Sequence, residues 1–397
     1  MSMQLPIYLD YHSTTPVDQR VVDAMLPYFT KSFGNASSKS HCFGWKAEFA
    51  VEAAREQVAK ILTGASSREI IFTAGATEGN NLALKGIAEC YAPQGKHIIT
   101  SSVEHKCILD TAKYLERKGF EITLLPVDAQ GQVSVESVRQ AIRNNTILIS
   151  VMLANNEVGT INPIAAIGKL ARENNIFFHT DAAQAVGKVA IDVNAMNIDM
   201  LSLSAHKMYG PKGVGAFYVR RREPRVELEP LLHGGGQEHG LRSGTLNVPS
   251  IVGLGKACEL ALAEFDHEVA HLKELRDRLE NGLKKRIPNL KVNGHPTERL
   301  PNNLNVSFPY IEGDSLVASV KNIAISSTSA CMSTAQEPSY VLKSMGVKPE
   351  LIQAAVRFGL GRFTTAKEID YTIDTVTAAV EKLQKASPLH QLQKQAR

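Results

Sequence analysis

The chain has 397 residues, of which 44% are hydrophobic and 21% are charged, as in ordinary globular proteins and unlike disordered or collagen-like chains. Its 44 basic and 40 acidic residues leave a net charge of only +4, which is too small for a nucleic-acid-binding surface. The longest apolar runs, such as residues 147–154, fall far short of the ~18 residues of a membrane span, so we expect neither nucleic acid nor a membrane as a partner.

From about residue 20 to residue 260, short β-branched runs alternate with longer amphipathic stretches. The predicted strands cover residues 69–73, 97–101, 121–125, 147–152, 176–179, 200–203 and 215–219. The predicted helices between them include residues 48–62, 80–89, 108–118 and 165–174. Strands that alternate with helices are typical of βαβ units. The sequence therefore predicts an α/β fold with a mostly parallel sheet flanked by helices.

A long charged helical pattern covers residues 253–287 and ends at Pro288, after which the order of elements changes. The predicted elements there are a strand at 303–308, a helix at 314–321, a strand at 324–326, a helix at 338–345, a strand at 355–360 and a helix at 367–385. We therefore expect a large domain over residues 15–260. Residues 1–14 and 261–397 should form a smaller α+β domain.

Open α/β sheets bind ligands beyond the carboxyl ends of their strands. The first predicted strand is followed by small residues, including Gly75 and Ala76, and then by Thr77 at the start of a helix. Main-chain N–H groups at such a helix start can bind a phosphate. The segment lacks both the phosphate-loop motif of nucleotide hydrolases and the dinucleotide fingerprint. An ordinary strand-to-helix turn is the alternative.

A carboxylate and a lysine follow two later strands that should be neighbours in the sheet. Asp181 comes after the strand at 176–179, and Lys207 follows the strand at 200–203 and precedes a glycine turn. A solvated or helix-capping Asp181 and a Lys207 that simply reaches solvent are the alternatives. An amine beside a carboxylate, with a phosphate cup nearby, is what pyridoxal 5'-phosphate (PLP) needs.

Two further strand ends carry polar clusters, around His105 and around Asn156. A single histidine is more often solvated than catalytic. Four polar clusters at four strand ends indicate a site, because chance would scatter them.

In the second part of the chain, Cys331 lies in a run of small residues without apolar periodicity, at 326–334. A cysteine presented on such a loop is a candidate mobile nucleophile. Arg357 lies inside an apolar strand, where a guanidinium needs a planar anion. A substrate carboxylate and an internal salt bridge are equally compatible with its position.

The other cysteines have no such setting. Cys90 and Cys258 lie in helical patterns and are interpreted as packing residues, whereas Cys42 and Cys107 stay undecided, with structural roles favoured. The odd number of cysteines and the absence of a CxxC pair favour a reducing compartment. The first residues show no signal-peptide or transit-peptide pattern, and we expect a cytoplasmic protein.

The assembled motifs resemble those of cysteine desulfurases of the IscS/NifS type, in the class V aminotransferase superfamily. The resemblance runs from residues 8–11 to the last predicted helix. Its most specific segments are residues 204–207, 233–236, 242–245 and the cysteine loop with residues 337–339. The chain departs from the family pattern at four positions: alanine and methionine replace threonine at Ala183 and Met332, and alanine and threonine replace glycine at Ala205 and Thr328.

The resemblance implies a PLP-dependent transferase of fold type I, with a role for each matching residue. Lys207 would carry the cofactor, Asp181 would pair with its ring nitrogen, and His105 would stack on the ring as an acid or base. Asn156 and Gln184 would contact ring substituents, with Asn156 also near the substrate. The phosphate would be held by Ala76, Thr77, Ser204 and His206 and, from the neighbouring subunit of a homodimer with shared active sites, by Thr245. Arg357 would bind the substrate carboxylate.

The implied activity converts L-cysteine to L-alanine and leaves the sulfur on Cys331 as a persulfide. Acceptors would be an iron–sulfur scaffold protein and sulfur carriers for tRNA or cofactor thiolation. No resident metal is expected, although Cys331 could transiently ligate an iron–sulfur cluster. The alternatives are another PLP-dependent lyase or aminotransferase of this fold, such as a selenocysteine lyase, and a non-catalytic sulfur-transfer subunit.

Overall fold

A computed structural model describes residues 4–327, 338–388, 390 and 391 of the chain. Its strands are β1 (Ile7–Tyr8), β2 (Leu62–Thr63), β3 (Ile70–Thr73), β4 (His97–Ser101), β5 (Glu121–Leu125), β6 (Thr146–Ser150), β7 (Phe177–Asp181), β8 (Ile191–Asp192), β9 (Met200–Ser204), β10 (Gly215–Val219), β11 (Lys291–Asn293), β12 (Asn303–Ser307), β13 (Ile323–Ala324), β14 (Ser326–Ser327) and β15 (Ala355–Gly359).

The α-helices alternate with these strands in the first part of the chain and surround them in the second. They are α1 (Gln19–Met25), α2 (Pro27–Thr30), α3 (Cys42–Ile61), α4 (Ala76–Tyr91), α5 (Lys106–Arg117), α6 (Val135–Ala141), α7 (Ile164–Glu173), α8 (Val248–Ala263), α9 (Phe265–Arg286), α10 (Gly313–Ser319), α11 (Tyr340–Ser344), α12 (Pro349–Gln353) and α13 (Ala366–Ala386).

The centre of the molecule is a seven-stranded sheet with the order β3-β10-β9-β7-β6-β4-β5. Strand β10 runs antiparallel to both of its neighbours, and the other four pairs are parallel. The mostly parallel sheet predicted from the sequence is therefore confirmed. Its parallel strands all end at one edge, which is where the strand-end polar residues meet.

Alternate residues of a strand in this sheet pack against helices on opposite faces, as the two-residue period of a strand requires. Strand β3 is an example. Ile70 and Phe72 join a core with α3, α7 and α8, whereas Ile71 packs with α4 and α5 on the other face. A sheet covered on both faces explains why these strands read as continuous apolar runs.

The second part of the chain builds a four-stranded antiparallel sheet, β11-β12-β15-β14. Its core includes leucines spaced three or four residues apart on α9, among them Leu272, Leu275 and Leu279, together with residues of α13. Ile7 and Leu9 belong to the same core, so the first strand packs with elements far away in the sequence.

Two sequence predictions were wrong in detail here. The single helix predicted at 253–287 is two helices, α8 and α9, separated at Glu264, whose carboxylate is paired with Arg20 and Arg362. The strand predicted at 324–326 is two short strands, because β13 pairs with β1 and β14 pairs with β15.

Candidate active site

A cavity of about 500 Å³ lies at the carboxyl edge of the seven-stranded sheet. Ten of the residues singled out from the sequence line it: Ala76, Thr77, His105, Asn156, Asp181, Gln184, Ser204, His206, Lys207 and Arg357. Thr245 is exposed and is not among the lining residues. Cys331 lies outside the residues that the structure describes, so its position relative to the cavity is not specified.

Asp181 is the last residue of β7, and Lys207 follows β9, the parallel strand beside it. The Lys207 amine donates hydrogen bonds to the main-chain carbonyls of His12 and of Ser13, the latter at 2.9 Å. Burial, followed by the nearby charges of Arg357 and Lys188, lowers the pKa of Lys207 to about 8. A far larger fraction of this amine than of an ordinary lysine is therefore neutral near physiological pH, and the neutral form is the one that can act as a nucleophile or base.

The carboxylate of Asp181 is 5% exposed and is held by two donors. Asn80 Nδ2 donates to Oδ2 at 2.7 Å, and the main-chain N–H of Ala183 donates to Oδ1 at 2.9 Å. These bonds fix a buried negative charge at the edge of the cavity, where it can pair with a protonated ring nitrogen.

The start of helix α4 forms one end of the cavity. Gly75 precedes the helix with a φ of 155°, and the N–H of Ala76 donates to the Ser204 hydroxyl at 2.8 Å. The first N–H groups of a helix have no partner within it and favour an anion. His206 contacts Thr14 at 3.1 Å, and burial, with the charges of Lys207 and Lys212, lowers the pKa of His206 to about 4. At neutral pH its ring is therefore an uncharged hydrogen-bonding group.

The glycine-rich segment, residues 233–245, is tied to this end of the cavity by two ion pairs. Arg242 pairs with Glu78, in the first turn of α4, at 3.0 Å. Glu238 is buried against Arg55 at 2.8 Å and accepts the N–H of Phe72 at 2.6 Å. The segment is thus anchored next to the start of α4, although Thr245 is not among the residues that line this chain's own cavity.

Arg357 is buried and forms an internal salt bridge, which is one of the two interpretations left open by the sequence. Its guanidinium forms a salt bridge with Asp10 at 2.9 Å and donates to the main-chain carbonyl of Asn156 at 2.9 Å. Its Nε has no partner among the described residues. Arg357 therefore has an internal partner, Asp10, and keeps one donor, Nε–H, without a partner in the described structure. Arg357 is also one of the residues that line the cavity.

The N-terminal segment supplies cavity residues for which no role was predicted, namely Asp10, His12 and Ser13. The ring of His12 is buried, with Nδ1 bonded to Gln184 Oε1 at 3.0 Å and Nε2 without a partner in the described part of the chain. Burial and the charge of Arg357 lower the pKa of His12. No spacing signal marks this residue, because its approach depends on the pairing of β1 with β13.

Cys107, whose role could not be decided from the sequence, is another residue that lines the cavity. Cys258 is buried as expected, whereas Cys90 is only partly buried and Cys42 is exposed.

Among the described residues, no helix is long and apolar enough to cross a bilayer.

The residues present fit PLP. A lysine amine, a buried carboxylate and a helix start converge on one cavity. Four of its lining residues also carry buried polar atoms without a partner in the described structure: Asn80 Oδ1, His12 Nε2, Asn156 Oδ1 and Arg357 Nε. Unpaired buried polar groups are costly, and a polar ligand would supply partners.

Comparisons with known proteins identify the family to which the chain belongs. The family model described as "Aminotransferase class-V" matches residues 7–372, so the chain belongs to the class V aminotransferase family, whose members depend on PLP. The curated relatives include a "Cysteine desulfurase IscS" of Anaeromyxobacter sp. (strain K), 56% identical over 99% of this chain and 96% of the relative. A "Probable cysteine desulfurase, mitochondrial" of Dictyostelium discoideum is 55% identical over 98% of this chain and 86% of the relative.

Solved structures support the same assignment. A "NifS-like protein" has a TM-score of 0.88 and 39% identity, covering 94% of this chain and 99% of its own. "SspA in complex with cysteine" has a TM-score of 0.80 and 42% identity, covering 90% of this chain and 100% of its own. Within the class V family, the chain is a member of the cysteine desulfurases.

Proposed function

We propose that this protein is a PLP-dependent cysteine desulfurase that converts L-cysteine to L-alanine and retains the sulfur on Cys331 as a persulfide. The observation that carries the proposal is the convergence of Lys207, Asp181, His105 and Arg357 on one cavity in a chain that belongs to the cysteine desulfurases. The fold alone would not distinguish this activity from other PLP chemistry.

The cavity residues divide into groups that match parts of the cofactor. Ala76, Thr77, Ser204 and His206 would hold the phosphate, and Asp181 would pair with the ring nitrogen. His105 would lie on the ring face, while Asn156 and Gln184 would reach ring substituents. When bound at Lys207, PLP supplies an electron sink for charge that develops on the substrate Cα.

Lys207 and Arg357 are the residues that would act on the substrate. Arg357 would bind the carboxylate through donors that its bond to Asp10 leaves available. Lys207 would move the proton between Cα and its own Nζ, and its pKa near 8 makes both protonation states accessible at neutral pH. Together they would fix the substrate by its carboxylate and place Cα beside the amine.

The sulfur step needs no external oxidant. The Cys331 thiolate would attack the substrate sulfur, so that an S–S bond forms while the Cβ–S bond breaks and its electron pair stays with carbon. Cβ then gains a proton, and the products are alanine and the Cys331 persulfide. A thiolate is required because a serine hydroxyl is too basic to replace it at neutral pH.

The test is a mass-spectrometric search for the persulfide after addition of L-cysteine labelled with ³⁴S. Wild-type protein should carry label on Cys331 and release one alanine per sulfur, and Cys331→Ser should do neither while cysteine still changes its cofactor spectrum. Cys90→Ser is the matched control and should behave as wild type. Label found chiefly on Cys42 or Cys107 would refute the role of Cys331, and alanine formed by Cys331→Ser at the wild-type rate would favour a lyase that does not need a cysteine.

We further propose a homodimer in which each subunit contributes Thr245 to the other's phosphate site. Thr245 is exposed and absent from its own cavity lining, although its segment is anchored beside α4. Five large aromatic side chains are also exposed near the N-terminal end of the chain: Phe29, Phe33, Phe43, Trp45 and Phe49. Such a set of exposed apolar residues favours an interface between subunits.

The remaining proposals concern organisation and cellular context. The division into residues 15–260 and residues 1–14 with 261–397 is supported by the separate apolar cores and by the place of Ile7 and Leu9 in the second one. A cytoplasmic location is supported by the free thiols of the described cysteines. An iron–sulfur scaffold protein and sulfur carriers are the proposed acceptors of the Cys331 sulfur.

A further inference from the structure

The Cys107 thiol lies in the cofactor cavity, in contact with the side chain proposed to stack on the cofactor. Its Sγ is 3.0 Å from His105 Nδ1 and 3.2 Å from Asn80 Nδ2. Both residues line the same cavity as Lys207 and Asp181. The proposed sulfur transfer does not use Cys107. The directions of its hydrogen bonds indicate a different role for this thiol.

The position of the proton on His105 follows from its main-chain partner. His105 caps helix α5, and its Nδ1 accepts the N–H of Cys107 at 3.2 Å. A main-chain N–H can only donate, so Nδ1 must present a lone pair. The thiol beside Nδ1 is therefore a donor toward the ring, and the proton of the neutral ring lies on Nε2.

The hydrogen bond between Asn80 and Cys107 has a direction that follows from the orientation of the Asn80 amide group. Its Nδ2 lies 2.7 Å from Asp181 Oδ2, and a carboxylate can only accept, so the amide must present its N–H₂ group there. The same N–H₂ group is 3.2 Å from the Cys107 sulfur. The sulfur thus accepts from Asn80 and donates its one hydrogen to His105.

We propose that Asn80 and Cys107 are positioning residues that connect Asp181 to His105 and hold the His105 ring as the tautomer protonated at Nε2. The hydrogen bonds run in one direction, from Asn80 to sulfur and from sulfur to Nδ1, and the other Asn80 hydrogen goes to Asp181. The ring would then present a donor, Nε2–H, on the side away from Cys107.

The electrostatic setting keeps the thiol in the form that this network needs. Burial, together with the negative charge of Asp181, raises the pKa of Cys107 to about 12. The thiol therefore stays protonated at physiological pH and is a poor nucleophile, which separates its role from that of Cys331.

This proposal rests on the proposed function only for the role of His105. A spectroscopic test of the His105 tautomer can fail or succeed independently of desulfurase activity. In full-length purified protein with ¹⁵N-labelled histidine, the His105 signals are assigned by their loss in His105→Gln. At pH 8 we expect Nε2 to be protonated and Nδ1 to show the ¹⁵N shift of a lone pair that accepts a hydrogen bond. In Cys107→Ala, the main-chain N–H still donates to Nδ1 but the thiol does not, so the Nδ1 signal should move part of the way toward the shift of a nitrogen with a free lone pair.

Cys107→Ser restores an O–H donor and should return the Nδ1 signal toward its wild-type position, whereas Cys90→Ala should leave the signal unchanged. In the desulfurase assay, Cys107→Ala should lower kcat roughly 2- to 10-fold, the effect of one lost hydrogen bond, with little change in KM. A protonated Nδ1 in the wild type, or an Nδ1 signal that is identical in Cys107→Ala, would overturn the proposal even if the protein is a fully active desulfurase.

Discussion

The side-chain amine of Lys188 donates a hydrogen bond of 2.9 Å to the main-chain carbonyl of Lys207. Lys188 is 6% exposed, and burial lowers its pKa to about 8. Its charge also contributes to the lowered pKa of Lys207, after burial and Arg357. One buried lysine thus holds the backbone of the other and makes its amine a weaker base.

Replacing Lys188 should therefore change the pH at which Lys207 reacts. Lys188→Met removes a nearby positive charge, so the pKa of Lys207 should rise above about 8. Cofactor uptake by the cofactor-free protein needs the neutral amine, and its half-maximal rate should shift to higher pH. The rate at which the yellow lysine-bound cofactor appears, from pH 7 to 10, measures this. Lys169→Met, an exposed change on α7, is the control, and an unmoved midpoint in Lys188→Met would contradict the prediction.

Glu104 should make the protein less stable as pH rises. The carboxyl is fully buried, and burial raises its pKa from the ordinary 4.5 to about 8. Between those values the folded chain binds a proton that the unfolded chain has lost, so the free energy of unfolding falls as pH increases. Glu104→Gln lacks this titration. Its stability relative to wild type should increase from pH 5 to pH 8 in urea denaturation, and a pH-independent difference would argue against a neutral Glu104. Glu116→Gln, at an exposed position on α5, should show no such trend.

The buried pair of Arg55 and Glu238 should dominate the stability of the glycine-rich segment. Both side chains are at most 5% exposed, and Glu238 also accepts the N–H of Phe72. Removing one partner leaves a buried charge, so Glu238→Ala should lower the free energy of unfolding by about 3–5 kcal/mol. The control is Asp370→Ala, which breaks an exposed pair with Arg278 and should leave the free energy of unfolding nearly unchanged. Equal losses from the two variants in chemical denaturation would mean that burial does not matter here.

A shared active site can be detected by mixing inactive subunits. Lys207→Ala should not form the lysine-bound cofactor, and Thr245→Ala should retain cofactor weakly. A heterodimer of the two variants would contain one site with both Lys207 and Thr245 intact, so the mixture should regain activity. Subunit exchange is verified by mass spectrometry of differently tagged chains. Activity no higher than that of the separate variants, despite complete exchange, would exclude the contribution of Thr245 across the interface.

Much of the site could be predicted because parallel strands bring their carboxyl ends together. Asp181 ends a strand of the central sheet, and Lys207, His105 and Asn156 each follow one. The order of polar residues after apolar runs is visible in the sequence. Arg357 was visible for a similar reason, since a charged residue inside an apolar strand must have a partner. The spacing could not show that Asp10 is that partner, because the two residues are 347 positions apart.

Other parts of the site depend on contacts that no local pattern encodes. His12 reaches the cavity only because the N-terminal segment passes between the two sheets, with β1 on β13 and Asp10 bridged to Gly359. Asn80 lies within the predicted helix, and its inward direction follows from the exact start of α4 at Ala76. Helix boundaries are the least certain feature of a sequence pattern, so the link from Asn80 to Cys107 became visible only in the structure.

The bond between Asp10 and Arg357 also has a consequence for biosynthesis. During translation, Asp10 leaves the ribosome long before Arg357 has been made, and the cavity lacks a wall until the two meet. The sheet that carries Asp181 and Lys207 is complete once residue 219 has been synthesised, because β10 is its last strand in the chain. A nascent chain would therefore contain every strand of this sheet but lack this wall of the cofactor site for the time needed to add about 140 residues, roughly 7 to 28 s at 5–20 residues per second. Full enclosure of the cofactor site is consequently a late event in the synthesis of the chain.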